Sequence, residues 1–106
     1  MAESQLRKGA IELVVLGLLQ ERASYGGEVL ERLRVEAGLE VSSGTVYPLL
    51  ARLRKTGMVG TSWEESPIGP PRKIYELTTS GRTRLARLAE EWEQLAAAVA
   101  ATTRKA

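Results

Sequence analysis

The stretch Val41-Ser42-Ser43-Gly44-Thr45-Val46-Tyr47-Pro48-Leu49-Leu50-Ala51-Arg52-Leu53-Arg54-Lys55-Thr56-Gly57 decides the reading of this chain. Val46, Leu49, Leu50 and Leu53 recur at helical spacing and form one narrow apolar face. Ser42 or Ser43 is placed to cap the start, and Gly57 to end the helix in the left-handed conformation. Thr45 and Arg52 flank the apolar face on one side, Tyr47 and Arg54 on the other. Pro48 and Lys55 lie opposite it. One side is built to dock on a core, and the rest offers hydroxyls and cations to an anion. The pattern predicts a recognition helix for the major groove of DNA.

The residues that follow sharpen this reading. Met58 to Glu65 has strand character, with Val59, Thr61 and Trp63 alternating on one face. Ser66-Pro67-Ile68-Gly69-Pro70-Pro71 reads as a loop. Arg72 to Leu77 is a second strand, with Lys73, Tyr75 and Leu77 on one side. The two strands predict a β-hairpin whose basic pair, Arg72-Lys73, lies just past the tip. Helix, short turn, helix and hairpin is the order of a winged helix-turn-helix. The expected fold class is mainly α with a small β-hairpin: a winged helix-turn-helix over 1–78, and a C-terminal dimerisation helix over 79–106.

Composition narrows the alternatives. At 106 residues the chain suits one domain with a modest core. It has no cysteine, histidine or aspartate, and so lacks most metal ligands and general bases. Neither a metal site nor a cofactor is expected. The residues suggest no catalytic triad or paired carboxylates, so an enzyme is not expected. No stretch is apolar for long enough to span a bilayer. The N-terminal apolar run lacks a small-residue cleavage site and is interrupted by Glu12, which argues against a signal peptide. A cytoplasmic protein is the expectation. Charge is unevenly spread: Ser42 to Arg87 holds eight Lys/Arg and three Glu, so this segment carries +5 and the remainder −3 within a net +2. Positive charge gathered on the recognition helix and hairpin fits a phosphate-facing surface, although solvated helix faces produce similar runs.

The first helix is expected from about Leu6 to Gln20. Ile11, Val14, Val15 and Leu18 make one apolar face, and Leu13, Leu16 and Leu19 spread beyond it. Such a helix needs cover on more than one side, which points to a partner subunit as well as the core. Gly17 would permit close approach of a second backbone. The second helix is expected after Ser24 as N-cap, with Gly38 as its stop. Val29, Leu30, Leu33 and Ala37 face inward, and Glu28 and Arg32 are spaced for an i,i+4 pair. Tyr25 at its start either meets an anion at the helix N-terminus or staples the helix to the core. The last helix carries Leu85, Leu88, Trp92, Leu95 and Val99 in the three-four spacing of a coiled-coil seam. That seam, with Ile11, Val14, Val15 and Leu18 of the first helix, is the predicted dimer interface.

The chain resembles the PadR family of transcriptional regulators, in its shorter form with a single C-terminal helix. The resemblance rests on Ala10 to Leu19, Ser24-Tyr25-Gly26, Ser43 to Leu53, Gly69 to Thr78 and Gly81, which follow the family's order. The Gly44-Thr45-x-Tyr47-Pro48-Leu49-Leu50 and Pro71-Arg72-Lys73-x-Tyr75-x-Leu77-Thr78 segments are the most specific. Gly27 departs from the bulky aromatic common in the family. The resemblance implies a homodimeric repressor of a pseudo-palindromic operator. Its half-sites should lie about one helical turn, ~34–36 Å, apart.

On that basis Tyr25, Ser43, Thr45, Tyr47, Pro48, Arg52, Lys55, Arg72 and Lys73 are the candidate DNA contacts. The fork of Arg52 matches the two acceptors of guanine, and equally a phosphate. Arg72 and Lys73 should meet phosphates or the minor groove. The resemblance also implies a small aromatic effector held near Trp92, whose simpler role is a large knob in the seam. The alternative function is a winged-helix module that binds another protein without reading DNA sequence.

Overall fold

The structure is a computed structural model, and it describes residues 4–104. The division into 1–78 and 79–106 reaches beyond these residues at both ends. The element order is α1 (Gln5–Glu21), β1 (Ser24–Tyr25), α2 (Gly26–Val35), α3 (Ser43–Lys55), β2 (Val59–Glu64), β3 (Arg72–Leu77) and α4 (Thr79–Thr103). The Ser4 hydroxyl caps α1 by accepting from the Arg7 amide at 3.0 Å. α2 closes before Gly38 (φ +69°) and α3 before Gly57 (φ +80°), both in the left-handed region expected of them. Behind Gly57 the Met58 amide reaches back to the Leu53 carbonyl at 2.8 Å, which tightens the turn into β2.

The hairpin pairs the two strands through the faces expected of each. Val59 faces Leu77, Thr61 faces Tyr75 and Trp63 faces Lys73 across the antiparallel pair. A third strand joins them that no sequence pattern announces. Ser24 and Tyr25 pair with Tyr75 and Ile74, which makes β3 the centre of a sheet ordered β1-β3-β2. This corrects the reading of Ser24 as an N-cap: Tyr25 occupies that position, and Ser24 is buried in the strand. The Ser24 hydroxyl accepts instead from Arg32 at 3.0 Å. The expected Glu28–Arg32 pair is also replaced. Arg32 is buried and bonds Glu36 and Glu21, each at 2.9 Å, while Glu28 lies 3.7 Å from Arg22.

One core joins the four helices with β2 and β3. α1 contributes Ile11, Val15, Leu16 and Leu19, packed with Val29 and Leu33, with Val46, Leu49, Leu50 and Leu53, and with Val59, Tyr75, Leu77 and Leu85. The buried face of α1 is therefore turned toward Leu16 and Leu19, and Val14 and Leu18 are only half-buried. A helix apolar nearly all round does not disclose in its sequence which side meets the core. Of the residues expected at a dimer interface, Ile11, Val15 and Leu85 are buried in the core of the protomer. On α4 the exposed part of the seam is Trp92, Leu95 and Val99, with Leu88 half-buried.

Thr78 fixes the start of α4. Its hydroxyl accepts from the Gly81 amide at 3.0 Å and donates to the Gly57 carbonyl at 2.6 Å. Gly81 lies against the Met58 carbonyl and the Leu77 side chain, so close that a β-carbon there would overlap both. The turn that ends α3 is thereby tied to the start of α4.

Candidate nucleic-acid interface

Four apolar anchors hold α3 on the core, and its far side is open. Gly44, Pro48, Ala51 and Lys55 are exposed along that side, and three of the four are small or compact. A ridge without bulky side chains permits close approach to a groove. Pro48 sits inside the helix, where its ring removes one backbone donor. Ser43 is exposed at the first turn. Neither serine caps the helix with its side chain: the position belongs to Ser42, whose hydroxyl donates to Thr45 Oγ1 at 3.3 Å.

The flank of α3 nearest the hairpin is a cluster of tyrosines and cations. Tyr47 rests on Gly26, leaving no room for a side chain at that glycine. The Arg72 guanidinium lies 4.6 Å from the Tyr25 ring centroid, and the Lys73 ammonium 5.6 Å from that of Trp63. Burial pushes the Tyr75 hydroxyl above its ordinary pKa; nearby Tyr47 adds to the shift and Arg54 opposes it. Tyr25, Tyr47 and Arg72 thus converge around the start of α2, with the charge of Arg54 felt at Tyr75 on the neighbouring strand. Sequence spacing places Tyr47 and Arg54 together, but only the β1–β3 pairing brings Tyr25 and Arg72 to Tyr47. Arg54 and Lys55 enter no ion pair among the described residues, so their charge is available to an external anion.

The opposite flank differs from expectation. Arg52 turns toward α1, where both terminal nitrogens reach Glu12 Oε1 at 3.3 Å. Arg84 of α4 donates to Glu12 Oε2 at 3.0 Å. Arg52 therefore does not project from the ridge beside Thr45 as a free fork. Sequence reasoning marks Glu12 only as an interruption of an apolar run. A lone carboxylate in such a run is the signal that would have found this arrangement, because buried charges are paired.

At the other end of the molecule, α1 and α4 enclose a shallow apolar groove of about 250 Å³, lined by Leu6, Leu13, Leu88, Trp92 and Leu95 among others. Trp92 is 42% exposed there. No group of His, Cys, Asp and Glu among the described residues is arranged to hold a metal. No helix of the described residues is long and apolar enough to cross a membrane.

Comparison with known proteins agrees with this geometry. Residues 15–87 match the model of the transcriptional regulator PadR-like family. A PadR-like transcription factor from Bacteroides fragilis is 40% identical, with a TM-score of 0.78 over 90% of this chain and 91% of that one. A Streptococcus transcriptional regulator is 35% identical, with a TM-score of 0.86 over 96% of this chain and all of that one. A transcriptional regulator of Mycobacterium tuberculosis is 30% identical over 92 residues, which cover 87% of this chain and 84% of its own. The family match spans most of the chain and includes α3, the hairpin and the start of α4, and the chain belongs to the PadR-like family of transcriptional regulators.

Proposed function

We propose that this regulator is a homodimer that binds a pseudo-palindromic operator and represses transcription from it. The observation that carries the reading is the open ridge of α3, flanked by the cationic, tyrosine-rich cluster of α2 and the hairpin. In this reading Ser43, Thr45, Tyr47, Pro48 and Lys55 enter or border the major groove. Tyr25, Arg72 and Lys73 hold the flanking phosphates. Arg52 joins them only when it leaves Glu12.

Dimerisation is supported by the row of large exposed apolar side chains, Trp92, Leu95 and Val99, with Leu6 beside it. A second copy related by a two-fold axis would cover this row with the same row of its own. Val14, Leu18 and Leu88 are the half-buried members of the expected interface that remain accessible to it. A flat apolar effector would enter the α1–α4 groove at Trp92 and bias the spacing of the two recognition helices.

Binding-site selection with the purified protein, followed by sedimentation of the complex, tests the proposal. The expected result is one dimer on two half-sites, with affinity that falls steeply as salt rises. Retention of a protein partner together with no mobility shift on any duplex would replace it with the interaction-module reading.

A further inference from the structure

Glu12 is the only buried carboxylate among the described residues. It stands on the core-facing side of α1 between two arginines from different elements. Arg52 of the recognition helix shares Oε1 through two 3.3 Å contacts, and Arg84 of α4 holds Oε2 at 3.0 Å. The side chain of Arg52 is 57% exposed, whereas that of Glu12 is 10% exposed. A buried charge left alone is strongly unfavourable. With two cations on one carboxylate, either can depart and leave Glu12 still paired. Arg52 makes the longer contacts and borders the open ridge of α3, so it is the arm that can be released. Arg84 is the one that stays.

We propose that Glu12 is a specificity-determining positioning residue, which withholds Arg52 from DNA of arbitrary sequence and yields it on a fully seated operator. The inference rests on the DNA-binding reading above. A loosely held duplex presents its phosphates across water, where attraction is screened. That attraction is weaker than contact with a carboxylate already largely removed from solvent. A seated recognition helix brings a base edge or phosphate within reach of the guanidinium fork, and the exchange becomes favourable. Specificity is a difference between two affinities, so removing one cation from the non-specific complex raises it without any new operator contact.

The test is the salt dependence of binding to operator and to random duplex for wild type, Glu12→Gln, Arg52→Gln and the double variant. In Glu12→Gln, Arg52 is free on any DNA. The slope on random duplex should steepen by about 0.9 for each Arg52 that now meets a phosphate, near two for a dimer, while the operator slope stays. Arg52→Gln, an exposed change that does not depend on the fold tolerating loss of Glu12, should lower the operator slope by about the same amount. It should leave random duplex unaffected, and in its background Glu12→Gln should add nothing to the slope. A folded Glu12→Gln with unchanged random-duplex slope overturns the inference alone. So does an Arg52→Gln variant that weakens equally on both DNAs. A wild-type protein with no salt-dependent DNA binding overturns the underlying reading as well.

Discussion

The Arg72 guanidinium carbon lies 4.6 Å from the centroid of the Tyr25 ring, so the first cation of the hairpin is seated on the strand that opens α2. The contact crosses the β1–β3 ladder, in which Tyr25 faces Ile74. It holds an exposed cation in a defined place instead of leaving it to sweep through solvent. Replacing both Arg72 and Lys73 with alanine should weaken binding to operator and random DNA about equally. The salt slope should fall by about 0.9 for each phosphate that the variant no longer neutralises. Unchanged binding to both would identify the pair as solvated surface.

Helix α3 and the hairpin were legible in the sequence because each buries one face, and periodicity reports that directly. The register Val59–Leu77, Thr61–Tyr75 and Trp63–Lys73 follows from matching two alternating faces. β1 was not legible. Two residues are too few to show a period, and Ser24 before an apolar helix has the composition of a cap. The orientation of α1 was equally hidden, since apolar residues surround it and only packing selects Leu16 and Leu19 over Val14 and Leu18. The partners of Arg32 and Arg52 depend on distant elements, Glu21 and Glu12. Local i,i+4 spacing cannot anticipate them.

Two helical glycines should behave oppositely. A β-carbon on Gly81 would overlap the Met58 carbonyl, which is backbone and cannot yield without moving the α3–β2 turn. Gly81→Ala should therefore destabilise the fold by about 1–3 kcal/mol or more. Nothing lies within 4 Å of the corresponding position at Gly17. Gly17→Ala should add about 0.5–1 kcal/mol through helix propensity. Thermal melts measure both. A stabilised protein whose dimer dissociates more readily would place Gly17 inside the subunit interface.

Stability should decline in acid partly through Glu36. Its carboxyl is held below the ordinary carboxylate range, first by the hydrogen bond from Arg32, with burial opposing and the charges of Arg32 and Arg22 assisting. A group whose folded pKa is depressed contributes stability that is present above its unfolded pKa, about 4.3 for glutamate. That contribution disappears as the pH falls through the folded value. Melting temperatures of wild type and Glu36→Gln should differ near neutral pH and draw together as the pH falls below the ordinary glutamate value of about 4.3. Parallel curves across the range would show that Arg32 gains nothing from this partner.

Truncation after Leu88 separates fold from assembly. The shortened chain keeps Leu85 in the core and the Thr78 cap on Gly81. It removes Trp92, Leu95 and Val99, all exposed in the protomer. The expected product is a folded monomer, with native-like circular dichroism and less than half the sedimenting mass of the dimer proposed for the full chain. A truncated protein that remains a stable dimer would exclude the α4 row as the interface.

The α1–α4 groove should bind planar aromatic compounds, and Trp92 should report it. At about 250 Å³ the groove of one protomer falls short of the ~300–1,000 Å³ typical of small-molecule sites. A second copy across a two-fold axis would add a facing wall, with its own Trp92 opposite the first. A flat ring inserted there would gain apolar burial and offset stacking on indole. Trp63 offers no such enclosure: it is 69% exposed on the hairpin, with Lys73 over its ring. Fluorescence titration with planar dyes should therefore quench wild type and Trp63→Ala but not Trp92→Ala. Ligand bound at the interface must also change operator affinity if it prefers one spacing of the recognition helices, and operator must change ligand affinity by the same factor. Quenching confined to Trp63 would move the site to the hairpin. Quenching at Trp92 without any change in operator affinity would leave the groove a binding site that does not regulate.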